Sequence, residues 1–425
     1  MTGRPHRFGG LLRQRNFRLL WIGETVNQLG SAMALIGVPL LAVVFLHATS
    51  FEVGVLTAAE YLPWLVIGLP AGAWVDRLPS RPVMIVCDVI SAALYASIPV
   101  AYAAHVLTVG QLVGVQLLAG AVSVLFTTAY QVNLPCLVKD EELTEGNAKL
   151  QASASGASLG GRGLSGIVTQ AVGATASVIV NAVSFLVSAA CLLAIRAPEP
   201  RRSAPRQPAK LRRDVIEGMR LVFRDPYLRP MTLAGALANF ALDGYAAIVV
   251  VFLVRVVGVS AGLVGLLLAI PGVGGLLGAL IARRLGTRLG TARALLLGTV
   301  GSMPCALLVP LADRGPRLAF FVIGVLVAAT GVGNFNVILA TFRQTYCPRA
   351  MIGRVTATMR FLSLGTGPFG AFVGGVLATW LHPRNALWVM VVILAGCGGL
   401  LLTPAFTRRR DLPAAPSAEP AKAST

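Results

Sequence analysis

Apolar stretches of about 20 residues recur along this chain, and they restrict its fold more than any other feature. A backbone crossing about 30 Å of hydrocarbon must satisfy its hydrogen bonds within itself, and a helix of that length does so. Twelve such stretches can be read. Those of the first half are 17–46, 53–73, 82–104, 108–132, 147–172 and 174–196; those of the second are 230–256, 261–282, 291–312, 317–341, 354–380 and 384–405. The fourth, fifth, tenth and eleventh are interrupted by Gly and polar residues. Only 12% of the 425 residues are charged, about half the share a soluble domain carries. Too little polar surface remains to solvate a globule of this size.

The charge that is present is distributed by side. The chain holds 36 Lys+Arg against 17 Asp+Glu, a net +19. With the N-terminus inside, all but five of the basic residues fall in inner segments; Arg255, Arg314, Arg317 and Arg384 lie in outer loops and Arg162 within a span. Such a bias sets orientation, so both termini are expected in the cytoplasm and no nucleic-acid partner is needed to explain the charge. The first apolar run continues to Leu46, longer than the core of about 7–15 residues in a signal peptide, and reads as an uncleaved span. Residues 1–16 form an inner tail. Residues 197–229 read as a basic linker whose Leu211–Phe223 segment carries apolar residues at helical spacing, as a helix lying on the inner leaflet would. Residues 406–425 read as a disordered tail.

Enzymatic chemistry has no foothold here. The six cysteines stand singly in or beside apolar segments, without metal-ligand spacing. His6, His47, His105 and His382 sit in the tail or outer loops. No phosphate-cradling loop of the Walker type occurs, so neither ATP hydrolysis nor a metal or organic cofactor is expected.

The two halves repeat. Gly72-Ala73 matches Gly278-Ala279, Gly54 to Pro63 matches Gly262 to Pro271, and Gly161 matches Gly367, all at nearly one offset. Together the spans and the repeat predict an all-α integral membrane protein of 12 transmembrane helices in two pseudo-symmetric six-helix bundles, 17–196 and 230–405. Parallel repeats of this kind place a substrate path along the axis between them. The connection "GAWVDRLPSRPVM", with Gly72, Asp76, Arg77 and Arg81, resembles the signature loop of the major facilitator superfamily. The stretches "FRLLWIGETVNQLGSAMALIGVPLLAV" and "LRRDVIEGMRLVFRDPYLRPM" resemble its drug:proton antiporter branch, which contains macrolide and siderophore exporters. The resemblance implies a monomer in a bacterial cytoplasmic membrane that exports hydrophobic or amphipathic small molecules by alternating access, with the proton gradient as energy source. It also implies that Asp76 and its arginines latch the cytoplasmic side, against the start of the span near Ile352-Gly353-Arg354. The second-half loop has Ala282 where Asp76 would fall, so one dominant latch is expected.

Ionisable groups within spans cost on the order of 2.5–3.5 kcal/mol at a helix centre, and each needs a reason. They are Glu24, Glu60, Asp88, Arg162 and Asp243. Asp88 reads as a structural partner of the nearby basic loop. Asp243, Glu24 and Glu60 are the proton-coupling candidates. Glu24, Asn27, Gln28 and Ser31 share one face of the first span, and Asn239 and Asp243 stack at i, i+4 in the seventh. Tyr130 and Gln131 in the fourth span and Asn334 in the tenth complete the cavity candidates. In the fifth span Gln151, Ser155, Ser158, Arg162, Ser165 and Thr169 form one polar stripe, expected to face water rather than lipid. Arg162 stands where the branch carries proline, and is read as a partner of Asp243 or Glu60. Trp64, Phe126, Tyr130, Tyr245 and Phe335 would line the path for amphipathic cargo. An uptake permease, or a non-transporting receptor or assembly factor on the same fold, are the alternatives.

Overall fold

The computed structural model describes residues 11–75, 78–138, 142–173, 175–196, 217, 219–347 and 351–413. All regular structure among them is helical. Asp76 and Arg77, and the linker up to Ile216, lie outside the described residues.

Six helices make the first half: α1 (Arg15–Val44), α2 (Ser50–Val75), α3 (Ser80–Ala103), α4 (Val109–Leu137), α5 (Leu143–Val172) and α6 (Ala176–Ala194). The second half holds α7 (Leu228–Val251), α8 (Ala261–Leu289), α9, α10 (Leu318–Tyr346), α11 (Ile352–Gly365) and α12 (Gly367–Gly396). α9 is regular only over Thr291–Leu296; it widens to π geometry at Leu297–Ser302 and tightens to 3-10 geometry over Met303–Leu311. Ten helical runs among the described residues are long and apolar enough to cross a membrane. Two features separate that number from the twelve expected. α5 has the length but carries too many polar residues, and the last two expected spans fall in one run, Arg354–Leu401. Helical geometry breaks within that run at His382, whose φ is +65°.

Local chemistry sets the ends. Thr49 and Glu52 cap α2 reciprocally: Glu52 Oε2 accepts from the Thr49 N–H at 2.7 Å, and Thr49 Oγ1 accepts from the Glu52 N–H at 3.3 Å. Thr108 Oγ1 caps α4 through the Gln111 N–H. Asp225 accepts from the N–H groups of Tyr227 and Leu228 at 2.8 Å each and from the Tyr346 hydroxyl at 2.7 Å, joining the start of α7 to the end of α10. His47 and His105 close α1 and α3 with positive φ, a conformation His tolerates better than bulky residues. Three of the four histidines thus terminate or break helices.

The chain divides into two compact units. The first comprises α1–α6 together with Ala246–Ala269 and Ala371–Pro383, and the second holds the rest from Gln207 onward. These units are drawn by contact, whereas the repeat drew its halves as residues 17–196 and 230–405; the end of α7, the start of α8 and an inner segment of α12 belong to the first unit. Glycine is the reason. Gly166 of α5 meets Gly265 of α8 backbone to backbone, and Gly54 of α2 meets Gly375 of α12 in the same way. Small residues at a crossing let dispersion act between whole backbones, which is the main attraction left between helices in lipid. Within this unit the helices neighbour one another in the order α5, α1, α6, α3, α4, α2.

The second unit is held by a cluster around Met231, Phe335, Phe342 and Met359. Its C-terminal segment is not free where the disordered tail was expected to begin. Phe406 is fully buried, Asp411 Oδ1 accepts from the Thr291 N–H at 2.9 Å, and Thr291 Oγ1 accepts from the Leu412 N–H at 2.8 Å. An acidic side chain at the first N–H groups of α9 satisfies donors that the helix cannot. Residues beyond 413 lie outside the described set.

Candidate functional site

A chamber of about 370 Å³ opens among α1, α2, α3 and α4, with Phe185 of α6 at one wall. α1 contributes Glu24, Asn27, Gln28 and Ser31, the face that the i, i+3, i+4, i+7 spacing predicted. Gln28 donates to Glu24 at 2.8 Å and Ser31 donates to Asn27 at 3.3 Å, so this face is internally bonded. α2 contributes Glu60, Tyr61 and Trp64, and α4 contributes Phe126, Thr127, Tyr130 and Gln131.

Three more residues complete the chamber: two that the sequence reading passed over and one to which it gave another role. Tyr95 on α3 donates to Gln116 Oε1 at 3.0 Å, and the Gln116 amide donates to Glu60 Oε2 at 3.3 Å. The relay is directional: Gln116 can donate to Glu60 while accepting from Tyr95 only if Glu60 offers a lone pair. Tyr95 also stacks on Phe185, with ring centroids 5.8 Å apart. The third is Asp88. It is 1% exposed and lines the chamber. The expected pairing of Asp88 with the basic loop is absent among the described residues; Ser188 of α6 stands beside it. A signal was there to read, since Asp88, Ser91 and Tyr95 follow helical spacing on α3 and all three line the chamber.

Other candidates lie elsewhere. Asn239 lines a second cavity of about 460 Å³, inside the second unit, with Phe335, Asn336, Arg343, Arg360 and Ser363. Asn334 does not line it: 1% exposed, it donates to the Ala294 carbonyl at 2.7 Å and acts as a clamp between α10 and α9. Asp243 packs against Gly367, where a Cβ would collide with its carboxylate. Tyr245 is partly buried, and its hydroxyl has no partner. Arg162, read as a partner of Glu60 or Asp243, makes no ion pair among the described residues.

The α5 stripe divides. Gln151 and Ser155 are exposed, whereas Ser165 is fully buried and donates to the Met33 carbonyl at 2.8 Å and to Ser177 at 3.2 Å. Thr169 joins the same cluster through Ser177 at 3.1 Å. One half of the stripe is therefore a helix clamp and not a wet face. Of the loop motif, Gly72 lies in α2, and Arg81 donates to the Ile195 carbonyl at 2.8 Å, tying α3 to the end of α6. Arg354, expected near a latch, pairs with Glu217. Arg360, counted with the inner-loop charges, stands inside α11.

One end of the first unit is closed by bonds as well as by glycine. Arg255 donates to the Ala48 carbonyl at 2.7 Å, across the α1–α2 connection, and Gln170 accepts from the Gly262 N–H at 3.1 Å. Phe51 meets Phe372 edge-on at 5.8 Å.

A multi-pass, all-α membrane protein with an acid-bearing polar chamber enclosed by its spans is a transporter of small molecules and not a catalyst. Residues 20–367 match the Major Facilitator Superfamily, and the chain belongs to that family. It is similar to the multidrug efflux pump Tap of Mycolicibacterium fortuitum, 26% identical over 88% of this chain and 92% of that protein. It is also similar to the uncharacterized MFS-type transporter YfiS of Bacillus subtilis (strain 168), 25% identical over 92% of this chain and 91% of that one. In fold it resembles the nucleoside transporter NupG, with a TM-score of 0.68 at 14% identity, covering 91% of this chain and 99% of that one. A bacterial homologue of the iron transporter ferroportin in its inward-facing state gives a TM-score of 0.72 at 16% identity, covering 92% and 98%.

Proposed function

We propose that the chain is a secondary active exporter of amphipathic small molecules, working by alternating access in a bacterial cytoplasmic membrane and driven by proton antiport. The observation that carries this reading is the first-unit chamber: three carboxylates and a row of aromatic rings enclosed where the surrounding helices are apolar. A group that must sit in low dielectric exchanges charge with whatever enters, and carboxylates can take a proton on one side and surrender it on the other. Glu24 and Glu60 belong to this chamber. Asp243 is the corresponding candidate of the second unit. The efflux pumps among the relatives favour export over uptake.

Twelve crossings follow if two physical arguments are added to the ten runs. A helix of 48 residues extends about 72 Å at 1.5 Å per residue, more than twice the hydrocarbon thickness, so Arg354–Leu401 crosses twice and turns at His382. α5 crosses because Ser165 and Thr169, deep in its polar stripe, bond to α1 and α6 instead of facing lipid. An even number puts both termini on one side, and the distribution of Lys and Arg puts that side in the cytoplasm. Gly72, Asp76, Arg77 and Arg81 would then be the cytoplasmic gate.

Purified protein in proteoliposomes with an imposed pH gradient tests the assignment against a panel of neutral and charged fluorescent amphipaths. Uphill movement of at least one of them, abolished when an ionophore collapses the gradient, is expected. Gradient-independent behaviour across the whole panel would refute the coupling.

A further inference from the structure

The cavity of the second unit, about 460 Å³, is bounded by α7, α9, α10 and α11. Arg343, one turn from the end of α10, and Arg360, two turns inside α11, both line it, and no carboxylate is among its described lining residues. Like charges that face one cavity repel each other. A guanidinium within a span is also costly enough to mark an ion or ligand path. The acids near these helix ends are engaged elsewhere. Asp225 accepts from the N–H groups of Tyr227 and Leu228 and from the Tyr346 hydroxyl, and Glu217 pairs with Arg354. Among the described residues neither Arg343 nor Arg360 makes an ion pair or a side-chain hydrogen bond.

The donors discriminate among anions. A guanidinium presents a planar fork of N–H groups and binds a carboxylate or a phosphate through two parallel bonds. A carboxylate has two oxygens and one charge, which a single fork satisfies. A phosphomonoester has oxygens on several sides and carries about −1.5 to −2 near neutral pH, so two guanidiniums can hold it together. Asn239 and Ser363 in the same wall add neutral donors. Met231, Met303, Phe335 and Leu339 make another part of the wall apolar. A cavity of this size has room for an organic group beside the phosphate.

We infer that the cavity of the second unit is a site for an organic phosphate. Arg343 and Arg360 hold the phosphate, and its apolar group lies against Met231, Met303 and Phe335. The occupant bridges α10 and α11 and supplies the counter-charge that no described side chain provides. A lipid head group and a soluble phosphomonoester share this chemistry. The site is separate from the acid-bearing chamber of the first unit, and the inference does not depend on the export reading of that chamber.

The full chain in phosphatidylcholine nanodiscs is dialysed to equilibrium against phenyl phosphate at fixed ionic strength, with empty nanodiscs as the blank. Saturable binding above the blank is expected, displaced by inorganic phosphate and not by acetate at the same concentration. Arg343→Gln and Arg360→Gln should each weaken it at least tenfold. Arg360→Lys should weaken it less than Arg360→Gln, because lysine keeps the charge and loses the fork. Arg317→Gln, which removes an exposed charge just before α10, should leave it unchanged. Phosphatidic acid added to the nanodiscs identifies the source, with oleic acid of equal total charge as its control. Phenyl phosphate binding reduced by phosphatidic acid alone supports a lipid head group as the occupant; binding reduced equally by both lipids, or by neither, supports a soluble phosphomonoester. No saturable binding, displacement by acetate as readily as by phosphate, or undiminished affinity in the Arg343→Gln, Arg360→Gln double variant would overturn the site. The comparison of phosphate with acetate on the unaltered protein stands even if a variant fails to fold.

Discussion

At the scale of single residues, the proposed proton antiport rests on the charges in the chamber. The titratable groups that face it are Glu24 on α1, Glu60 and Tyr61 on α2, Asp88 and Tyr95 on α3, and Tyr130 on α4. Cargo and proton that use the same carboxylates exclude one another, as antiport requires. Glu60→Gln, which keeps the shape and loses the charge, should therefore abolish gradient-driven flux in proteoliposomes; flux at the parent rate would mean that Glu60 does not carry the exchange. Much of this site was legible before the structure, and unevenly so. Glu24, Asn27, Gln28 and Ser31 could be grouped because a single helix brings its own i, i+3, i+4 positions together. Gln116 could not, since its role arises from Tyr95 on a neighbouring helix and Glu60 on another. Asp88 was visible but misassigned: its depth along α3 suggested the loop arginines, whereas the direction of its side chain, which depth does not reveal, leads into the chamber.

At the scale of the element, α5 shows how a polar helix lies among apolar ones. Its stripe was read as wet because an uncompensated hydroxyl in lipid is costly. The alternative, bonding to neighbouring helices, depends on what α1 and α6 offer at the same height. They offer the Met33 carbonyl and Ser177, and Gly161 lets α1 close on α5 near Leu29 and Ala32. Interhelical hydrogen bonds in membranes average about 0.6 kcal/mol and reach about 1.7. Ser165→Ala should therefore lower unfolding stability by about 0.5–1.5 kcal/mol, seen as a lower thermal midpoint in detergent, with gradient-driven flux in proteoliposomes unchanged. Lost flux at unaltered stability would restore the cavity-lining reading of this residue. The last two expected spans, divided in sequence near 381–383, fall in one apolar run. His382 in left-handed geometry, followed by Pro383, breaks the backbone path without breaking the apolar composition, and composition alone reads one long run.

At the scale of the whole molecule, the division into two units departs from the division into two repeats. The repeat offset assigned six spans to each half, and sequence homology between halves is blind to which ends touch. Ala246–Ala269, the end of α7 and the start of α8, and Ala371–Pro383 within α12 join the first unit through two glycine contacts, the Arg255 bonds and the Phe51–Phe372 pair. Alternating access requires that a closure of this kind can part, and backbone-to-backbone glycine contacts are suited to that: they are tight, but no side chain interlocks across them. A Cβ at Gly265 would collide with the α5 backbone at Gly166, so Gly265→Leu cannot reach the present packing without displacing a helix. In a cysteine-free background with Thr57→Cys, a residue of α2 that is now buried, Gly265→Leu should raise the rate of labelling by a membrane-impermeant maleimide several-fold. It should also reduce gradient-driven export, because one end no longer reseals. Arg255→Gln, which keeps a donor but loses the charge and the fork, should give a smaller change in the same direction. If labelling of Thr57→Cys stays at the parent rate in both variants while the proteins remain folded, these contacts are static packing and the moving seal of the transport cycle lies elsewhere.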